Sequence, residues 1–134
     1  MNHTLPQQAY GLLLAFDGYG VPEERGGDQT RLKDFLYSFP GTIAMRRLGE
    51  PQVIAVNEPG IQGLSGFTFI MESHVSVHTY TEQGFVTVDI YSCKDFDTER
   101  ATRLLAEFFG TTSYHTHTLV RGRSFGEDGP RTRK

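Results

Sequence analysis

The ten residues "MESHVSVHTY", Met71 to Tyr80, set Glu72, Ser73, His74, Ser76 and His78 into a stretch whose β-branched and aromatic residues read as a strand. Polar and ionisable groups are costly to bury, so such density raises the question of chemistry beside the plainer reading of structural strand residues. Metal binding is the first test. His74 and His78 are four apart, and on a strand that spacing separates them by roughly 13 Å at ~3.3 Å per residue, too far for one ion. His115 and His117 share a strand face and need a third ligand from elsewhere, so no metal site is assigned. A Ser73, His78, Asp89 triad is the second test. The neighbouring "GLSGF", Gly63 to Phe67, lacks the strand-to-helix elbow of a serine hydrolase, because strand-like residues follow it and Phe67 stands at the fifth position.

The elements that must position these residues are legible on both sides of them. "YGLLLAF", Tyr10 to Phe16, reads as a central strand ended by the glycine turn "DGYG". Leu32, Phe35, Leu36 and Phe39 fall at helical spacing behind Asp28 or Thr30 as N-cap, with Pro40 and Gly41 expected to stop the helix. Thr42 to Arg47 and Gln52 to Val56 are short strand candidates, joined to the next strand by the Gly-rich "NEPGIQGLSG". "FTFIM", "VSVHTY" and "FVTVDIYSC" then read as an antiparallel meander with "TEQG" as a turn. Asp97 caps a helix carrying Ala101, Leu104, Leu105 and Phe108 on one stripe, ended by Gly110. Thr112 to Val120 forms the last strand, and the charged stretch from about 121 to 134 reads as a flexible tail.

At 134 residues the chain is sized for one domain spanning 1–134, and 37 % apolar residues suffice for a core. A formal charge of −3 provides no field for nucleic acid or an anionic membrane. A small soluble partner is expected. No apolar run approaches the roughly 20 residues that span a bilayer, and the lone Cys93 fits a reducing compartment, so a cytoplasmic location is expected.

Taken together, Gly63 to Cys93 resembles the bacterial and archaeal S-adenosylmethionine decarboxylase proenzymes. The likeness lies in the G-x-S-G of Ser65 and Gly66, the E-S-H-x-x-x-H-T of Glu72, Ser73, His74, His78 and Thr79, the E-x-G of Glu82 and Gly84, and the D-x-x-x-C of Asp89 and Cys93. It fixes unlike polar residues at unequal spacings. "LLLAFDGYG" and "LVRG" extend it more weakly towards both ends.

What the resemblance implies is a self-processing enzyme of the short bacterial and archaeal form. Ser73 would attack the Glu72 carbonyl, and β-elimination would leave a β chain of residues 1–72 and an α chain of 73–134 that begins with a pyruvoyl group derived from Ser73. That group would be the cofactor and would form a Schiff base with the substrate. The resemblance gives His78 the removal of the Ser73 α-proton, Ser65 the stabilisation of the acyl-shift intermediate, and Cys93 protonation of the product carbanion. It further implies an α/β (α+β) two-layer sandwich, an antiparallel sheet with helices on one face, and a homodimer of processed protomers that completes the active sites. Decarboxylation of S-adenosylmethionine for spermidine and other polyamine synthesis is the expected function. Because Ser73 and His78 differ by five, an unbroken strand would turn them to opposite faces, so a bulge or kink is expected between Glu72 and Val75.

One stretch departs from the family pattern. Where the family reads H-R-F-x-P-Y before G-x-S-G, this chain has "NEPGIQ", with Pro59 in place of the Phe that stacks on adenine. Phe16, Tyr19, Phe67 and Tyr80 are candidate replacements, and Glu58 would suit a basic side chain. Two alternatives follow: a pyruvoyl-dependent arginine or ornithine decarboxylase on the same fold, and an unprocessed, non-catalytic binding homologue.

Overall fold

The computed structural model describes residues 5–126. Nine elements follow one another: β1 (Gly11–Tyr19), α1 (Glu23–Gly26), α2 (Gln29–Thr42), β2 (Arg47–Val56), β3 (Gly63–Ile70), β4 (Ser73–Tyr80), β5 (Phe85–Ser92), α3 (Thr98–Phe109) and β6 (Ser113–Arg121). The strands form one antiparallel sheet in the order β2-β3-β4-β5-β1-β6. The helices lie on one face only, α2 over β2 and β3 and α3 over β1. This is the two-layer architecture expected.

Period-two alternation sorts each strand into a covered and an open side. Val75, Val77 and Thr79 of β4, Val86, Val88 and Ile90 of β5, and Leu12, Leu14 and Phe16 of β1 are all buried. They meet Leu32, Leu36 and Phe39 of α2 and Ala101, Leu105 and Phe109 of α3 in one core. Each such large side chain contributes about 1.5–3 kcal/mol relative to exposure. The two helices are joined by Phe35, whose ring stacks on Phe108 at 4.0 Å and on Phe39 at 4.8 Å.

Most of the expected elements are present, and the middle of the chain differs. Asp28 and Asp97 cap α2 and α3 by accepting the Arg31 and Arg100 amides at 3.0 Å, and Gly110 ends α3 at φ 67°. Pro40 does not stop α2, which runs on to Thr42. Near a C-terminus a proline removes one donor, while its own carbonyl still accepts from Ile43 and Met45. The strand expected from Thr42 to Arg47 is therefore absent: Ile43 and Met45 are buried in a connection that passes through Ala44 at φ 63°, and β2 starts at Arg47. That strand bulges between Leu48 and Gln52 and tolerates Pro51 because it is an edge.

The last strand reaches Arg121, and the chain then turns back on the N-terminal side. The Gly126 amide donates to the Gln8 carbonyl at 2.7 Å, and Phe125 packs edge-on against Tyr10 at 5.2 Å. The remainder of the expected flexible tail, 127–134, lies outside the described residues.

Candidate active site

Two separate clusters hold Glu72, Ser73, His74 and Cys93 on the one hand and Ser65 and His78 on the other. The first surrounds the hairpin turn between β3 and β4. Ile70 pairs with Ser73, so Met71 and Glu72 alone form the turn and the Glu72–Ser73 peptide bond sits where the chain enters β4. Ser73 also pairs with Ser92 of β5, which brings Cys93 beside Glu72. The Glu72 carbonyl accepts the Cys93 amide at 3.0 Å, and Cys93 itself is exposed. His74 brings Nδ1 to 3.4 Å from Ser73 Oγ, its ring lying between Phe67 at 5.5 Å and Tyr91 at 5.7 Å.

The second cluster lies at the far end of the same two strands. Ser65 pairs with His78, and Ser65 Oγ stands 3.1 Å from His78 Nδ1 beside a cleft of about 200 Å³ also lined by Val56, Ile61 and Tyr80. Gly63 fixes the spacing at this end, because a Cβ there would meet the Thr79 carbonyl oxygen at 1.8 Å. Thr79 is buried and fully engaged, its hydroxyl donating to the Gly26 carbonyl at 2.7 Å and accepting the Leu64 amide at 2.9 Å.

The bulge expected between Glu72 and Val75 is not there. From Ser73 to Tyr80 the strand pairs with β5 without a shift, because the reversal is completed at Met71–Glu72 and both neighbours hold the backbone straight. His78 therefore lies roughly 16 Å along β4 from Ser73 at ~3.3 Å per residue, and on the other side of the sheet. Within one chain Glu72, Ser73 and Cys93 come together, Ser65 and His78 come together, and the two groups stay apart.

Asp89 is in mid-strand, paired with Ser76 and Ala15, and joins neither cluster. His115 and His117 lie on β6, and among the described residues no group of three or more His, Cys, Asp or Glu is arranged to hold a metal ion. Of the candidate stacking rings, Phe16 is fully buried in the core and is excluded. Phe67 and Tyr80 are half-buried on the open side and Tyr19 is exposed.

Sequence reasoning assigned nothing to Lys94, whose ammonium stands 3.7 Å from the Glu72 carboxylate. The signal was present in the pairing: once β4 and β5 are neighbours with Ser73 opposite Ser92, position 72 falls beside 93 and 94.

The open side of the sheet carries several exposed large apolar side chains. Ile54 is 62 % exposed, Phe69 61 %, Leu119 53 % and Leu48 45 %, on strands that run from one edge to the other. Between them on the same side lie His74, Ser76, His78 and Asp89, so this face mixes exposed apolar and polar side chains. No described helix is long and apolar enough to cross a membrane.

Comparison with known proteins agrees with this layout. A family model described as S-adenosylmethionine decarboxylase matches residues 12–122. The chain is 33 % identical over 104 residues to the S-adenosylmethionine decarboxylase proenzyme of Geobacillus kaustophilus, covering 76 % of this chain and 84 % of that one. It is 31 % identical over 105 residues to the proenzyme of Archaeoglobus fulgidus, covering 78 % and 90 %. The crystal structure of the adenosylmethionine decarboxylase from Aquifex aeolicus superposes with a TM-score of 0.70 over 86 % of this chain and 92 % of that one, at 23 % identity, and shares its fold.

Proposed function

The chain belongs to the S-adenosylmethionine decarboxylase family, and from that premise we propose that it cleaves itself between Glu72 and Ser73 and decarboxylates S-adenosylmethionine. The observation that carries this reading is the turn at Met71–Glu72, where a serine follows directly on a carbonyl already held by the Cys93 amide at 3.0 Å. A hydrogen-bonded carbonyl is polarised for attack, and the same N–H is in place for the charge that develops on its oxygen.

The processing steps balance on the chain's own atoms. A bond forms from Ser73 Oγ to the Glu72 carbonyl carbon and the C–N bond breaks, the hydroxyl proton ending on the freed nitrogen, so an amide becomes an ester. Removal of the Ser73 α-proton then expels Glu72 as a carboxylate. Tautomerisation and addition of one water release the nitrogen as ammonia and leave a pyruvoyl group at the start of residues 73–134. That group supplies an electron sink for loss of carbon dioxide from an amine-bearing substrate. Cys93, exposed beside the cleaved turn, is placed to deliver a proton to the product carbon.

His78 and Ser65 serve processing in this reading, and neither reaches Ser73 of its own chain. A second copy supplies them. Two open faces laid together about a two-fold axis set the His78 end of one β4 against the Met71–Glu72 turn of its partner and cover the exposed Ile54, Phe69 and Leu119. The Glu72–Ser73 bond lies there at the rim of the sheet and is reached past its edge, although Ser73 itself starts on the covered side. Each site then takes Glu72, Ser73 and Cys93 from one protomer and Ser65 and His78 from the other.

Intact mass of the purified protein tests the processing. Two chains, residues 1–72 and 73–134, are expected, the second lighter than a serine-started chain by one ammonia. A single full-length mass that persists on incubation would overturn self-cleavage and favour a non-catalytic homologue.

A further inference from the structure

We propose that Lys94 is a positioning residue for self-processing, which neutralises the Glu72 carboxylate beside the carbonyl under attack. This rests on the processing reading above. Glu72 is an awkward residue at a cleavage point. Its side chain is only 12 % exposed, and its negative charge lies a few bonds from the oxygen on which negative charge must develop. The structure sets a cation against it. Lys94 Nζ is 3.7 Å from Glu72 Oε2, and the other carboxylate oxygen accepts the Arg46 amide at 3.4 Å.

Three further contacts fix Lys94, two through its backbone and one through its ammonium. Ser92 is fully buried, and its hydroxyl both accepts the Lys94 amide at 3.0 Å and donates to the Lys94 carbonyl at 2.8 Å, turning the chain out of β5 so that Lys94 points across the hairpin. The ammonium donates to the Ala44 carbonyl at 2.8 Å. Ala44, at φ 63°, is the one non-glycine residue with positive φ among the described residues, and the same loop holds the turn a second time, the Met71 amide donating to the Arg46 carbonyl at 2.8 Å. Lys94 thus ties the cleavage turn to the loop behind it while balancing its charge.

The step it serves is the acyl shift, in which the Ser73 Oγ to Glu72 carbon bond forms, the C–N bond breaks and the hydroxyl proton passes to nitrogen. With Lys94 removed, an unpaired carboxylate opposes the oxyanion. With both charges removed, that opposition is gone. A charge role and a merely structural one therefore part company in the double variant.

The experiment follows precursor disappearance by intact mass after rapid purification of the full chain, for wild type, Lys94→Met, Lys94→Arg, Glu72→Gln and Glu72→Gln/Lys94→Met, with thermal midpoints for each. Lys94→Met is expected to slow cleavage about tenfold, a modest effect because the lysine is half exposed. Lys94→Arg and the double variant are expected within about threefold of wild type. Equal rates for wild type and Lys94→Met would overturn the role of Lys94 while leaving self-processing intact. A double variant as slow as Lys94→Met would overturn the charge argument, and a wild-type chain that stays whole would remove both readings at once. If Lys94→Met fails to fold, the contrast between Lys94→Arg and the double variant decides: an uncharged double variant cleaving no slower than the arginine variant supports charge balance, and a much slower one overturns it.

Discussion

Ser65 Oγ and His78 Nδ1 lie 3.1 Å apart across β3 and β4, at the opposite end of those strands from the Glu72–Ser73 bond on which they are proposed to act. An antiparallel hairpin with unbroken register has no means of folding one end onto the other. In the proposed reading the two clusters are halves of one site, and the open face, with Ile54, Phe69 and Leu119 exposed, is the surface over which two chains would bring them together.

Complementation tests that division. Ser73→Ala and His78→Ala are each expected to remain whole when purified alone. Co-expressed with distinguishable tags, the His78→Ala chain should be cleaved, since it keeps its own Ser73 and receives His78 from the Ser73→Ala partner, while the Ser73→Ala chain stays intact. Absence of any cleavage in the mixture would favour an intrachain action of His78.

Cys93 separates processing from turnover. Its backbone amide holds the Glu72 carbonyl, and any residue supplies that amide, whereas its exposed side chain is the proposed proton donor. Cys93→Ala should yield the same two chains by mass and lose about 10²-fold in carbon dioxide release from S-adenosylmethionine. Equal loss of cleavage and turnover would place its role in processing instead.

Acid sensitivity is predicted at α3. The Arg100 amide donates to the Asp97 side chain and, with help from Arg103, holds its carboxyl below the ordinary value. A carboxyl depressed on folding contributes stability above its unfolded pKa and loses it as pH falls through the folded one. The thermal midpoint of Asp97→Asn should lie below wild type at pH 7, and the two should converge below about pH 4. A gap that persists into acid would mean that the charge contributes nothing.

The parts legible in the sequence were those written in local periodicity. The meander β3–β4–β5 showed itself by alternation, and α3 by Asp97, its apolar stripe and Gly110. Glu72, Ser73 and Cys93 followed from the motif, and their proximity follows from the meander's register. What failed was non-local. Thr42 and Ile43 look like strand residues but are spent on a helix end and a buried connection, since Pro40 keeps its carbonyl in use. The parity conflict between Ser73 and His78 was visible, yet a local kink was the wrong resolution: both neighbours of β4 hold it in unbroken register, and those pairings are non-local. Lys94 was missed because its partner lies across a hairpin.

Gly63 links the fold to the second cluster. An alanine there would put Cβ 1.8 Å from the Thr79 carbonyl oxygen, next to the residue that pairs with Ser65. Gly63→Ala should cost about 1–3 kcal/mol or more in denaturant unfolding and disturb the Ser65–His78 contact, so cleavage slows even in chains that fold. Gly41→Ala, which has open space and no positive φ, is the control expected to be neutral.

We expect substrate choice to turn on the loop of residues 57–62. Pro59 stands there without an aromatic ring to stack on a base, in a loop pinned from below by Glu82, which accepts the Gly60 amide at 2.8 Å, and by Gln83, which donates to the Gly60 carbonyl at 3.0 Å. Pinning fixes the backbone at 60, so a ring introduced at 59 is carried by an ordered loop. Phe67 and Tyr80, half-buried on the open side, are the rings we expect to stack on an adenine. Carbon dioxide release should therefore occur from S-adenosylmethionine and not from arginine or ornithine, with KM higher than it would be with a stacking ring at 59. Pro59→Phe should lower that KM about fivefold, the equivalent of roughly 1 kcal/mol of stacking, with kcat unchanged. Release from arginine or ornithine alone would show instead that losing the ring at 59 reassigned the site to a basic amino acid, with Glu58 as the residue to substitute next.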